Sequence, residues 1–176
     1  QWVVADSGRA ITAVQTLRNG IMAATFFASV SMLLVLGSLN LISGTPGTSA
    51  VAWNQLNFVG SHSAAMQSFK SLALVAVFAV AFFSFALSVR LLVHAGYHVL
   101  PAPGGAEPSA QRLAYLVDRS ALHYTYGMRA YWAAVPLVSW LFDPLLMVLT
   151  AALVVALLFR LDRTGSELPR DLTGLG

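Results

Sequence analysis

The chain has 176 residues, of which 57% are hydrophobic and only 10% are charged, against about 25% charged residues in typical soluble domains. Its net charge is +3, but the basic residues form no patch interleaved with aromatics, so nucleic acid is not a predicted partner. It has no cysteine, which excludes disulfides and thiolate chemistry. This composition predicts an all-α integral membrane protein with one helical domain over residues 1–176, surrounded by the lipid bilayer.

The first predicted element is a helix over residues 5–20, with Ser7 as its N-cap and apolar residues at three-residue steps. It leads into the first predicted span, residues 21–42, which contains no charge. A helix needs about 20 mostly apolar residues to cross the hydrocarbon core of a bilayer. The sequence SGTPG at residues 43–47 ends this span, and residues 49–59 are predicted to form a short interfacial helix.

The second predicted span covers residues 71–90, because residues 71–89 run without one charge and Arg90 ends the run. The sequence PAPGGAEPS at residues 101–109 is predicted to be a flexible linker. A second interfacial helix is predicted over about residues 109–120, with apolar residues on one side and arginines on the other.

The last apolar region, residues 130–159, is longer than one ordinary span and contains Pro136 and Pro144. Prolines are tolerated in spans where neighbouring groups satisfy the freed carbonyls, so we predict a single crossing that is kinked at these prolines. A re-entrant hairpin that turns near Asp143 is the alternative. The polar tail, residues 161–176, follows, so the chain is predicted to contain three spans.

Basic residues predict the orientation of these spans. Arg9 and Arg18 precede the first span and four more arginines lie between the second and the third, whereas residues 43–70 hold only Lys70, at their far edge. Basic residues accumulate on the cytoplasmic side of membrane proteins. The segment 91–128 is therefore predicted to be cytoplasmic in a multi-pass protein, most simply of a bacterial inner membrane.

Three segments carry a resemblance to a known family. They are VQTLRNGIMAATFFAS (Val14–Ser29), SFALSVRLLVHAGY (Ser84–Tyr97) and HYTYGMRAYWAAVPLVSWLFDPLLM (His123–Met147). With them the chain resembles the bacterial and plant integral-membrane family of domain of unknown function 599. It departs from that family at Asp143, where the family usually has glycine before the proline. The resemblance implies a four-span helical protein whose first span lies before Gln1, and it implies no activity.

Asp143 is an acid inside an apolar stretch. A charged residue at the bilayer centre costs about 2.5–3.5 kcal/mol on insertion scales and usually has a partner or a function. One hypothesis is therefore a proton or cation site. The other, which we favour, is that Asp143 is the N-cap of a final helix whose first residue is Pro144, because both residue types are common at those positions.

Two groups of polar residues precede the first and the third predicted span. They are Gln15, Arg18 and Asn19 in the first group and Tyr124 and Arg129 in the second. On the predicted topology both groups lie at the cytoplasmic interface. We expect polar contacts between helices there, with a lipid headgroup site or a substrate site as alternatives, because arginine binds phosphate well.

Three histidines are the only candidates for a cofactor. His94 and His98 share one face of a helix because they are four residues apart, and His123 is the third. A structural zinc site usually has four ligands and often uses cysteine, which this chain lacks. We predict no metal and no cofactor, with a contact to a haem or a chlorophyll-type pigment as the alternative for these histidines.

Small residues predict where the helices pack. Ala24 and Ala28 lie on one face of the first span, and Ser84 and Ser88 lie on one face of the second. Small side chains let helices approach closely in a membrane, where the hydrophobic drive between them is absent. We therefore expect these four residues to lie in helix–helix contacts.

The functional prediction follows from these features. The sequence has no Ser-His-Asp arrangement, HExxH motif, phosphate-binding glycine loop or pair of acids, so we predict that the protein is not an enzyme. It is expected to be a structural or accessory subunit that docks through helix–helix contacts onto a larger membrane complex, of respiratory or photosynthetic type. The alternatives are a small oligomeric transporter or channel that uses Asp143 and, third, a membrane enzyme.

Overall fold

The computed structural model describes residues 2–43, 64–99 and 110–165, and every one of them except Asp143 is helical. The helices are α1 (Trp2–Ser43), α2 (Ala64–Val99), α3 (Ala110–Phe142) and α4 (Pro144–Gly165). The predicted all-α class is confirmed for this part of the chain. The predicted interfacial helix 49–59, the linker 101–109 and the tail beyond residue 165 lie outside the described residues.

Two helices are long and apolar enough to span a membrane. The apolar stretches are Ile11–Asn40 in α1, with 30 residues, and Ala65–His98 in α2, with 34 residues. At 1.5 Å per residue they measure about 45 and 51 Å, whereas the hydrocarbon core is about 30 Å thick. The predicted span 21–42 lies within α1, and the predicted span 71–90 lies within the apolar stretch of α2. Because α1 begins at Trp2 and continues through this stretch, Ser7 lies inside it and is not an N-cap.

Ring contacts show how the three long helices are arranged. Phe27 of α1 stacks on Phe85 of α2 with the ring centroids 5.4 Å apart, and Gly20, earlier in α1, lies beside Leu92, later in α2. These two helices are therefore antiparallel. In the same way α3 runs antiparallel to α2, because Tyr124 contacts Phe85 and Tyr131 contacts Phe78.

The core lies where α2 meets its neighbours. One buried cluster contains Leu74, Phe78, Ala134 and Leu141, and a second contains Ala28, Ala81 and Phe85. Phe85 is fully buried and packs against Gly127 so closely that a Cβ atom at Gly127 would lie 2.6 Å from the ring. Only glycine fits there without a shift, so Gly127 determines how closely α3 approaches α2.

The predicted interfacial helix 109–120 does not exist as a separate element, because residues 110–120 form the first turns of α3. Ser120 and Ser88 explain this difference. Both side chains are buried, their hydroxyls lie 2.9 Å apart, and the Ser120 hydroxyl also donates to the Ser88 carbonyl oxygen at 3.2 Å. This buried contact holds the beginning of α3 against α2, where a surface helix had been expected.

The predicted crossing 130–159 is divided between two helices in the structure. α3 continues through Pro136 and ends at Phe142, and α4 begins at Pro144 and packs against α3. The apolar part of α4, Pro144–Arg160, is shorter than the apolar stretches of α1 and α2 and measures about 25 Å. The helix is therefore broken at Asp143, next to the predicted kink at Pro144, whereas it continues through Pro136.

Candidate functional site

The side of α3 that faces away from α2 carries exposed polar and aromatic residues. Their spacing of three or four residues puts them on one helix face, which we call the α3 outer face. Its residues are Arg112, Tyr115, Arg119, Leu122, Tyr126 and Arg129, and all of them are exposed. The opposite side of α3 is apolar or small and packs on α2, so the helix is amphipathic along this stretch.

Hydrogen bonds to α1 give the depth of Arg129 in the bundle. The hydroxyls of Tyr131 and Ser31 lie 3.0 Å apart, and the Tyr131 hydroxyl donates to the Phe27 carbonyl oxygen at 3.1 Å. Ser31 lies near the middle of the uncharged run 21–42. Arg129 precedes Tyr131 by two residues, which is about 3 Å along the helix axis. It is therefore level with the middle of this run.

Arg119 has a different depth. Its neighbour Ser120 contacts Ser88, which lies next to the end of the uncharged run 71–89. About 15 Å of helix separate Arg119 from Arg129. Arg119 thus lies at the edge of the apolar layer that α1 and α2 define, whereas Arg129 lies well inside it.

Arg129 has no hydrogen bond or ion pair with any residue that the structure describes. Tyr126, one turn earlier, is 55% exposed and lies beside the ring of His123, with the centroids 6.4 Å apart. Ala133, one turn later, is exposed as well. The α3 outer face therefore presents, between an aromatic and a small residue, a guanidinium that has no partner in residues 2–43, 64–99 and 110–165.

A second polar centre, the Lys70 cluster, lies where α3 meets α4. It consists of Lys70, Trp140 and Asp143. Lys70 is only 4% exposed, and its ammonium donates to the Trp140 carbonyl oxygen at 2.8 Å and lies 5.4 Å from the centre of the Trp140 ring. Asp143 attracts this ammonium electrostatically. The Ser71 hydroxyl is fully buried and has no hydrogen-bond partner within the described ranges of the chain.

Pro144 explains why a lysine is buried there. In a continuous helix the Trp140 carbonyl would accept from the N–H of the residue four positions later, but that residue is Pro144, which has no N–H. Lys70 supplies the missing donor. A carbonyl freed by proline inside a membrane is normally satisfied in such a way by a neighbouring group. The Lys70 cluster thus stabilises the junction of α3 and α4.

Asp143 has the geometry of an N-cap. The Leu145 N–H donates to Asp143 Oδ1 at 2.6 Å, and the Met147 N–H donates to the Asp143 carbonyl oxygen at 3.1 Å. Pro144 occupies the first helical position, where its missing N–H costs nothing. The carboxylate that is a candidate for proton or cation binding is therefore engaged with the helix that follows it.

The two predicted polar groups lie at different heights. Gln15, Arg18 and Asn19 are exposed near the beginning of the apolar stretch of α1. Tyr124 instead packs between Phe27 and Phe85, at centroid distances of 6.1 and 5.4 Å. Arg129 lies one turn deeper still, so the expected contact between the two groups is not formed among the described residues.

The histidines can be located too. His94 is exposed, while His98 and His123 are half-buried. The described residues contain no group of three or more His, Cys, Asp or Glu side chains placed to hold a metal ion.

The small residues contribute mainly to contacts within the chain. Ala24, Ala28 and Ser88 are buried, and Ser84 is half-buried. Residues of α1 and α2 also form an open groove of about 590 Å³, lined by Thr25, Ala28, Ser29, Met32, Leu33, Phe82, Ala86 and Val89. The Ser29 hydroxyl donates to the Thr25 carbonyl oxygen of its own helix, so the groove offers few polar groups.

Sequence reasoning missed the Lys70 cluster and the Ser31–Tyr131 contact. In the sequence, Lys70 directly precedes the uncharged run 71–89, which predicts only a basic residue at the edge of a span. The signal that could have found its role is Pro144, which frees a carbonyl four residues earlier and therefore requires a donor from elsewhere. Nothing in the sequence marks Ser31 as the partner of Tyr131.

Comparison with known proteins gives a family and no activity. The sequence model of the family described as "Protein of unknown function, DUF599" matches residues 1–166, which confirms the resemblance seen in the sequence. No curated protein and no solved structure is significantly similar to the chain.

Proposed function

We propose that this chain, which belongs to the DUF599 family of proteins of unknown function, is a non-catalytic structural or accessory subunit of a larger membrane complex. The family description names no activity. The proposal therefore depends on the surfaces that the helices leave uncovered, above all the α3 outer face.

The observation that carries the proposal is the depth and exposure of Arg129. It is level with the middle of the uncharged run of α1, yet its side chain points away from the bundle. Charged residues at such depth almost always face the interior of a bundle or a water-filled cavity. Contact with lipid chains is therefore unfavourable for this face. Another protein that covers the face would shield the Arg129 guanidinium from lipid.

In this proposal α3 is a third crossing beside α1 and α2, although its composition is not apolar. The buried contacts of Ser120, Tyr124 and Tyr131 support it, because they pair α3 with the other two helices along most of their apolar length. The arginine-rich segment that contains the end of α2 and the beginning of α3 then faces the cytoplasm. A bacterial inner membrane is the setting we propose.

A transporter or channel is the second candidate, and one observation favours it. A water-filled path along the α3 outer face would keep Arg129 hydrated as well as a protein partner would. Asp143 supports it less, because its carboxylate caps α4.

Purification from native membranes tests the proposal. A tagged chain, extracted in mild detergent at low expression level, is expected to migrate with other membrane proteins at a mass well above that of its own oligomers. Arg129→Gln should weaken this association. Arg90→Gln, at an exposed arginine of α2, is the matched control and should leave it intact.

A chain that is recovered only as a monomer or a homo-oligomer contradicts the subunit proposal. If such a preparation also conducts ions in proteoliposomes, and Arg129→Gln abolishes the conductance, the channel is the correct function.

A further inference from the structure

We infer that the partner covering the α3 outer face is a membrane-embedded helix of another protein, and that it carries a carboxylate at the depth of Arg129. This inference rests on the proposed function and specifies the chemistry of the partner.

The first step is the charge of Arg129. An arginine side chain stays protonated under all conditions that proteins meet, so this cation cannot be neutralised by losing its proton. It has no partner among the residues that the structure describes. A carboxylate is the group that best matches it, because guanidinium and carboxylate form two parallel charge-assisted hydrogen bonds.

The second step is the shape of the α3 outer face around Arg129. Ala133 lies one turn beyond Arg129 and is small and exposed, which lets another helix approach closely. Tyr126 lies one turn before Arg129 and offers a ring and a hydroxyl. This sequence of aromatic, cationic and small residues along one face suits a helix better than it suits disordered lipid chains.

The third step concerns a second copy of this chain. A parallel pair related by a two-fold axis along the membrane normal would bring Arg129 close to its own copy. The acids whose side chains are described, Asp118 and Asp143, are about 16 and 21 Å away along the helix axis, and the Asp143 carboxylate already accepts from the Leu145 N–H. A homodimer through this face would therefore leave two like charges unmatched.

Lipid phosphate is the remaining source of negative charge. Headgroups lie near Arg119, at the edge of the apolar layer, and Arg129 is about 15 Å deeper. That distance exceeds the reach of one arginine side chain. A carboxylate on a partner helix is the anion that can lie at the required depth.

A photocrosslinking experiment tests the inference. A photoreactive phenylalanine analogue replaces Tyr126 in the full chain, expressed in its native host, and the adducts formed in intact membranes are mapped by mass spectrometry. The expected adduct joins α3 to a transmembrane segment of a different protein that has Asp or Glu within about one helical turn of the crosslink. The same analogue at Phe83, an exposed residue of α2, is the control for random collisions and should give a different set of adducts.

Charge exchange then tests the pairing itself. Arg129→Glu should reduce complex recovery roughly thirtyfold or more, as expected when one member of a desolvated charge pair is reversed. Replacement of the partner's acid by arginine should restore recovery in the Arg129→Glu background. The crosslinking experiment leaves Arg129 unchanged. It therefore still tests for an acidic partner helix if an Arg129 variant fails to fold.

Several results overturn the inference. These are an adduct to a second copy, to lipid alone, to another segment of the same polypeptide, or to a partner segment without an acid. If a complex is isolated but makes no contact at Tyr126, the inference fails while the subunit function stands. If no complex exists, both fail.

Discussion

Lys70 and Arg129 are both cations beside an uncharged run of helix. The two side chains differ in their burial and in whether the chain provides a partner for them. Lys70 is buried, donates to the Trp140 carbonyl and has Asp143 nearby. Arg129 is exposed and unpaired within the described part of the chain. A charge in a low-dielectric layer needs a partner. Lys70 has such a partner within the chain and contributes to the fold, whereas for Arg129 we propose that another molecule supplies it.

The largest effect on the isolated chain is expected from Lys70→Met. We expect the free energy of unfolding in mild detergent to fall by about 1–3 kcal/mol, because a buried carbonyl loses its donor. Adding Pro144→Ala should recover part of this loss, since alanine at this position would provide the backbone N–H that the Trp140 carbonyl lacks. Reversible unfolding of the single and double variants, monitored by circular dichroism, measures both effects. A Lys70→Met protein as stable as the wild type would show that Lys70 and Arg129 do not differ in the way described.

A smaller effect is expected at Asp143. Asp143→Ala should cost about 0.5–2 kcal/mol, the usual range for loss of an N-cap. Asp143→Asn keeps the acceptor for the Leu145 N–H and should cost less, although it removes a negative charge that attracts Lys70 electrostatically. Thermal unfolding of the two variants gives the order of their stabilities. A normally folded Asp143→Asn protein that loses a pH-dependent flux in proteoliposomes would instead make this acid the centre of a transport function.

The smallest effect on stability is expected at Arg129, because its side chain is exposed. In the isolated chain, Arg129→Gln should change the free energy of unfolding by no more than about 0.5 kcal/mol, as for most surface positions. The same variant should nevertheless weaken the native complex. If Arg129→Gln destabilises the isolated chain as much as Lys70→Met does, its guanidinium has a partner within the chain, and the α3 outer face is not free for docking.

Much of the helical framework is predictable from the sequence. The uncharged runs at residues 21–42 and 71–89 each require a long helix, since only a helix satisfies its own backbone in lipid. The break at Asp143 is predictable as well, because Asp followed by Pro combines a good N-cap with a good first helical residue.

The course of α3 could not be predicted in the same way. The sequence predicts a surface helix over residues 109–120 and a separate span from residue 130, because the hydropathy of a segment does not show which helix face another helix covers. The face that matters here contains Ser120, Tyr124 and Gly127, and their role depends on Ser88 and Phe85 of another helix. The role of Lys70 depends likewise on a carbonyl far away in the sequence. Such pairings are properties of the tertiary structure.

The bond between Lys70 and Trp140 has a consequence for how the chain is made. Translation produces α2 before α3, so the lysine is already synthesised when Trp140 and Pro144 leave the ribosome. A fragment that ends after α2 holds an ammonium without its acceptor, and a fragment that begins at α3 holds a carbonyl without its donor. Neither half is complete alone, and we expect the two fragments to associate when they are co-expressed.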